Sequence, residues 1–114
     1  MFHHRRLGRP VDLLALHQRH PERYPYLLAS NTSGAVNTRW SLLFAFPESI
    51  RRQRAGDADC LLQLPPRLAT NWHTELPFIG GWFVFLSYEY AAVVEPSVHF
   101  HAADSGMPVA LLAR

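Results

Sequence analysis

The stretch "LPFIGGWFVFLSYEYAAVVEP", residues 76–96, decides the fold. Two adjacent glycines, Gly80 and Gly81, precede a dense run of large apolar residues. Side chains along a strand point alternately to its two faces. Trp82, Val84, Leu86 and Tyr88 therefore share one face, and Phe83 and Phe85 the other. Both faces are apolar at first, which predicts a central strand covered on two sides. Ser87 and Glu89 then bring polarity to one face, so the strand is expected to end near a polar site. The glycine pair lacks Cβ atoms and predicts a close backbone approach or a bulge. The run falls short of the roughly 18 apolar residues a membrane helix needs.

The flanking segments extend this picture. Residues 1–10, "MFHHRRLGRP", read as a flexible, basic N-terminus, and residues 11–114 as one domain. Asp12 is placed to cap a helix over Val11–Arg19, with Leu13, Leu14, Leu16 and His17 on one face. Pro21 stops that helix by removing a donor and restricting His20. "YPYLLAS" and "TRWSLLFAFP" read as neighbouring antiparallel strands joined by the turn-rich "NTSGAVN". "ESIRRQRAGDADC" is polar and reads as a solvated loop or edge strand. "LLQLPPRLATNWHTELP" is a proline-broken connection, "AAVVEP" a turn or short helix, and "MPVALLAR" a final strand. One helix and several strands without regular strand–helix–strand alternation predict an α+β fold. Its sheet is mainly antiparallel and its helices few. The last strand runs to Arg114 with no cap or polar tail, which suggests a truncated domain.

Composition excludes several classes. The 114 residues suit a folded domain with a moderate core. The formal net charge of +2 is too small and dispersed to argue for nucleic acid or an anionic membrane. All the basic residues are arginine, which raises the pI to about 9.1 without a large charge excess. A single cysteine, Cys60, excludes an internal disulfide and every paired-cysteine metal motif. No secretory h-region is present at the start, so a cytoplasmic setting is expected, with no membrane and no nucleic-acid partner.

Candidate chemistry is sparse. His99 and His101 alternate beside Asp104, but no third ligand is fixed by spacing, and an exposed polar loop is the favoured reading. Neither a paired-carboxylate site nor a Ser-His-Asp or Cys-His arrangement emerges. Gly80-Gly81 makes no phosphate loop. Glu89 is the acid placed where burial is expected, and an arginine such as Arg39 could pair with it.

These residues resemble the N-terminal region of the chorismate-utilising amino-group enzymes, the large components of anthranilate synthase and aminodeoxychorismate synthase. In that family a strand opens with a Gly-Gly pair and runs to a Gly/Ser-Tyr-Glu/Asp element. Here these are Gly80-Gly81 and Ser87-Tyr88-Glu89. "RYPYLLAS" resembles the family's Leu-Leu-x-Ser strand, "TRWSLLFAFP" the strand after it, and "GMPVALLAR" the strand following the hallmark. The order and spacing of all four match from about Asp12 onward. Val84 stands where the family often carries glycine, and Ala29 where anthranilate synthases usually carry glutamate.

The resemblance implies a partial anthranilate synthase component I-like fold and a tryptophan-type amino-acid site. The matching positions are Ser30, Asn37, Thr38, Arg39 and Trp40. Arg39 could hold a carboxylate, and Trp40 could wall an indole. Gly80, Gly81, Tyr88 and Glu89 form the structural motif. The family completes this pocket with a later region that also holds the chorismate site, the Mg²⁺-binding glutamates and a catalytic lysine. This chain has no lysine, so the resemblance implies no catalytic residue here. It implies a parent enzyme using Mg²⁺ and a glutamine amidotransferase subunit. The parent would convert chorismate and ammonia to 4-amino-4-deoxychorismate for folate and para-aminobenzoate biosynthesis. The alternatives are an anthranilate synthase component I fragment and a stand-alone ligand-binding or interaction module. Strand edges exposed by a missing C-terminal region invite self-association.

Overall fold

The computed structural model describes residues 3–30, 40–65, 75–100 and 106–114. They fall into two compact units, Met1–Pro47 with His73–Gly80, and Glu48–Trp72 with Gly81–Arg114.

In the first unit a helix, α1 (Leu13–Arg19), packs on a two-stranded antiparallel ladder, β1 (Tyr26–Leu28) with β2 (Leu42–Phe44). The Asp12 carboxylate accepts from the Ala15 N–H at 2.9 Å, satisfying a donor the helix leaves free. Arg19 in the last turn complements the helix dipole. Leu13, Ala15, Leu16 and His17 are half-buried, whereas Leu14 is 54% exposed and falls off the expected apolar face. His17 Nδ1 lies 2.6 Å from the Tyr24 carbonyl, so that nitrogen carries the proton and ties the helix to the start of β1. The β1–β2 register pairs Tyr26 with Phe44, Leu27 with Leu43 and Leu28 with Leu42, as the adjacent-strand reading expects. Phe44 packs edge-on against Phe78, with ring centroids 5.3 Å apart.

The second unit holds a three-stranded antiparallel sheet in the order β3 (Ile50–Gln53), β5 (Ala110–Ala113), β4 (Phe83–Leu86). This corrects the sequence expectation for the central strand. β4 lies at an edge, spans four residues, and alternates half-buried Phe83 and Phe85 with exposed Val84 and Leu86. β5 is the central strand, and all four of its residues are buried. A short run such as Ala-Leu-Leu-Ala, small at both ends, admits neighbours closely on both edges and both faces. Large aromatic residues on β4 need only one covered face to be half-buried. The chain also leaves the strand geometry at Ser87, where a 3₁₀ turn over Tyr88–Tyr90 begins and leads into α2 (Ala91–Val94).

The core beneath β5 joins Cys60, Tyr90, Ala110 and Leu112, with Leu61, Leu64, Trp82 and Val109 packed against it. Cys60 opens a second 3₁₀ turn, Cys60–Gln63, capped by the Asp59 carboxylate on the Leu61 N–H at 3.0 Å. The architecture is thus a small α+β fold with antiparallel sheets. Among the described residues no helix is long and apolar enough to cross a membrane.

Gly80 and Gly81 both adopt φ of 137°, a region that L side chains rarely enter. A Cβ at Gly80 would meet nothing within 4 Å. Backbone conformation, not the expected close approach, is therefore what calls for glycine at that position.

Candidate functional site

The first candidate lies at the open end of the β1–β2 ladder. Carried two residues beyond Leu28 and Leu42, the same register sets Ser30 opposite Trp40. The Ser30 N–H donates to the Ser41 Oγ at 3.1 Å, which holds the two chains together at this end. Trp40 is 40% exposed and Ser30 half-buried. An indole can offer a stacking wall, and a serine hydroxyl a hydrogen-bonding group, to a small aromatic amino acid. Asn37, Thr38 and Arg39 lie outside the described residues, as does the proposed Arg39 partner of Glu89.

The second candidate follows β4. Tyr88 is 82% exposed and sets its ring edge-on to Phe100, with centroids 5.3 Å apart. Glu89 is half-buried in the first turn of the 3₁₀ segment. Neither continues the strand, so the Tyr-Glu-Tyr element is a turn that leaves the sheet. Tyr88 and Glu89 border an open groove of about 990 Å³ with Phe85, Val93, Phe100 and Met107. Arg54 and Asp57 stand at the same groove, in a turn closed by the Arg54 N–H on the Asp57 carboxylate at 2.8 Å.

The residue that anchors this element is Tyr90, which the sequence reading passed over. Its hydroxyl donates to the Asp59 carboxylate, with Oδ1 at 2.9 Å and Oδ2 at 3.0 Å. Burial, followed by the hydrogen bond to Asp59 and the carboxylate's charge, raises the Tyr90 pKa. Beside it the Cys60 N–H donates to Gln53 Oε1 at 2.9 Å, and Gln53 is 2% exposed. Burial first, then Asp59, raises the Cys60 thiol's pKa, which keeps the sulfur protonated and unreactive. This cluster is a satisfied polar girdle around the core, with no activated nucleophile. Helical spacing was the available signal. From Ser87 onward the 3.6-residue period turns Tyr90 inward, whereas strand alternation would not.

Among the described residues no three His, Cys, Asp or Glu side chains are grouped to hold a metal ion. His99 is exposed, and His101 and Asp104 lie outside the described residues.

Neither protein-family models nor curated proteins nor solved structures give a match to this chain.

The site residues therefore divide by geometry. Ser30 and Trp40 lie just beyond the same end of the β1–β2 ladder. Gly80 and Gly81 set backbone conformation, and Tyr88 and Glu89 rim the groove of the second unit.

Proposed function

We propose that the chain is the N-terminal, non-catalytic part of an aminodeoxychorismate synthase component I-like enzyme. In this reading the end of the β1–β2 ladder carries part of a tryptophan-type amino-acid site. The parent joins chorismate and ammonia into 4-amino-4-deoxychorismate, with Mg²⁺ and a glutamine amidotransferase subunit. The observation that carries the reading is the antiparallel β1–β2 pairing, with the Ser30 N–H on the Ser41 Oγ just beyond its end. Two segments that resemble the family's amino-acid-binding strands thus lie side by side. Further support comes from the sequence: four family-like segments in order, and Ala29 in place of the glutamate usual in anthranilate synthases.

Half a pocket binds poorly. Calorimetric titration of the 114-residue chain with L-tryptophan is expected to show weak or absent binding. Fusion to the chorismate-binding region of an aminodeoxychorismate synthase component I is expected to raise the affinity, and Ser30→Ala with Trp40→Ala in that fusion to abolish the gain. Micromolar binding by the isolated chain, or a fusion insensitive to both substitutions, overturns this placement of the site.

A further inference from the structure

The two edges of the β3–β5–β4 sheet are built differently. The Ser87 N–H donates to the Val109 carbonyl at 2.9 Å. Backbone groups alternate sides along an antiparallel strand, so Phe85 and Phe83 also turn their N–H and C=O toward β5. Val84 and Leu86 then direct theirs outward, away from the sheet. Among the described residues no strand pairs with that edge. The Val84 and Leu86 side chains are 42% and 43% exposed, and no charge occurs anywhere over residues 80–88. The opposite edge is guarded. β3 carries exposed Arg51 and Arg52 with Arg54 following, and the Arg54 N–H is capped by Asp57. Clustered like charges and a capped donor are how sheets block unwanted pairing.

We propose that β4 is a self-association edge, pairing antiparallel with β4 of a second copy about a two-fold axis. The symmetric register places Val84 opposite Leu86 of the partner subunit, with both N–H and C=O groups exchanged, and Phe85 at the axis. A second copy fits because an uncharged edge meets itself without repulsion. Two β3 edges would instead bring arginines together. The ladder is short, so the association is weak and concentration-dependent.

The test is the solution mass of the 114-residue chain by sedimentation equilibrium at about 1 and about 100 μM. The expected mass rises from the 13.0 kDa of one chain toward twice that value. Val84→Pro removes an outward donor while sparing the bonds to β5, a substitution an edge strand tolerates. It is expected to remain monomeric at the higher concentration with unchanged far-UV circular dichroism. Should Val84→Pro unfold, Val84→Lys supplies the same readout through charge. Arg52→Ala, on the other edge, is expected to leave the dimer intact. A monomer at both concentrations overturns the proposal, as does a folded Val84→Pro or Val84→Lys variant that still dimerises.

Discussion

Tyr90 concentrates the polar chemistry of the second unit in one hydroxyl. Its two contacts to Asp59, at 2.9 and 3.0 Å, join the 3₁₀ turn after β4 to the one at Cys60. Tyr90→Phe keeps the ring in the core and leaves the carboxylate without this donor. A hydrogen bond to a charged acceptor contributes about 1.5–3 kcal/mol, so a loss within that range is expected by urea denaturation at neutral pH. The pH dependence follows from the same contacts. Folding raises the pKa of Tyr90 above its ordinary value of 10.0, and of Cys60 above 9.0. The folded state therefore holds these protons more tightly than the unfolded chain. Their contribution is complete below the unfolded values and is lost as pH rises through the folded ones. Stability should fall above about pH 9, and Tyr90→Phe should flatten the part of that fall beyond about pH 10. An unchanged alkaline limb in the variant would assign the loss to other groups.

Among the elements, β5 supports more than its sequence suggests. Leu112 is 1% exposed at the centre of the sheet, between Arg51 on β3 and Val84 on β4. Leu112→Ala removes packing that nothing can refill without moving two strands, a loss of about 2–5 kcal/mol. Val84→Ala, on the edge, should cost below about 1 kcal/mol in dilute solution. The reverse order in denaturant unfolding would restore β4 to the centre. Some of this architecture was legible in the sequence because it is encoded locally. Asp12 caps α1 through a contact three residues away, and the β1–β2 pair follows from two apolar runs flanking turn-forming residues. Strand order is not local. Periodicity ranked "WFVFL" as the strongest strand signal, but which strand lies between the others depends on pairings 24 to 63 residues apart. The same contrast holds for the candidate residues. Ser30 and Trp40 follow from a local register, whereas Asp59 and Tyr90 meet across 31 residues with no motif linking them.

At the scale of the whole molecule, burial is divided unevenly between the two units. Gln53, Cys60, Tyr90 and Ala110–Ala113 are buried, and all belong to the second unit. Among the described residues of the first unit none is buried, and the side chains of α1 and the β1–β2 ladder are half-buried or exposed. Local opening free energy follows buried apolar contact, so the two units should exchange their amides on separate scales. In native-state hydrogen exchange the Leu111, Leu112 and Ala113 amides are expected to be the slowest. Tyr26, Leu28 and Phe44, which share one phase of the β1–β2 ladder, should exchange faster by at least an order of magnitude, about 1.4 kcal/mol in opening free energy. Leu112→Ala should speed exchange in β5 and leave β1 near its original rate. Equal protection in the two units, or a loss in β1 matching that in β5, would show one cooperative structure instead. The expected order bears on the proposed site directly. Ser30 and Trp40 sit on the weakly protected ladder, so a ligand held there must also supply ordering free energy. L-tryptophan bound by the fused enzyme should therefore slow exchange at Leu28 and Leu42 more than at Leu112. Protection confined to the second unit would place the ligand in the groove beside Tyr88 and Glu89.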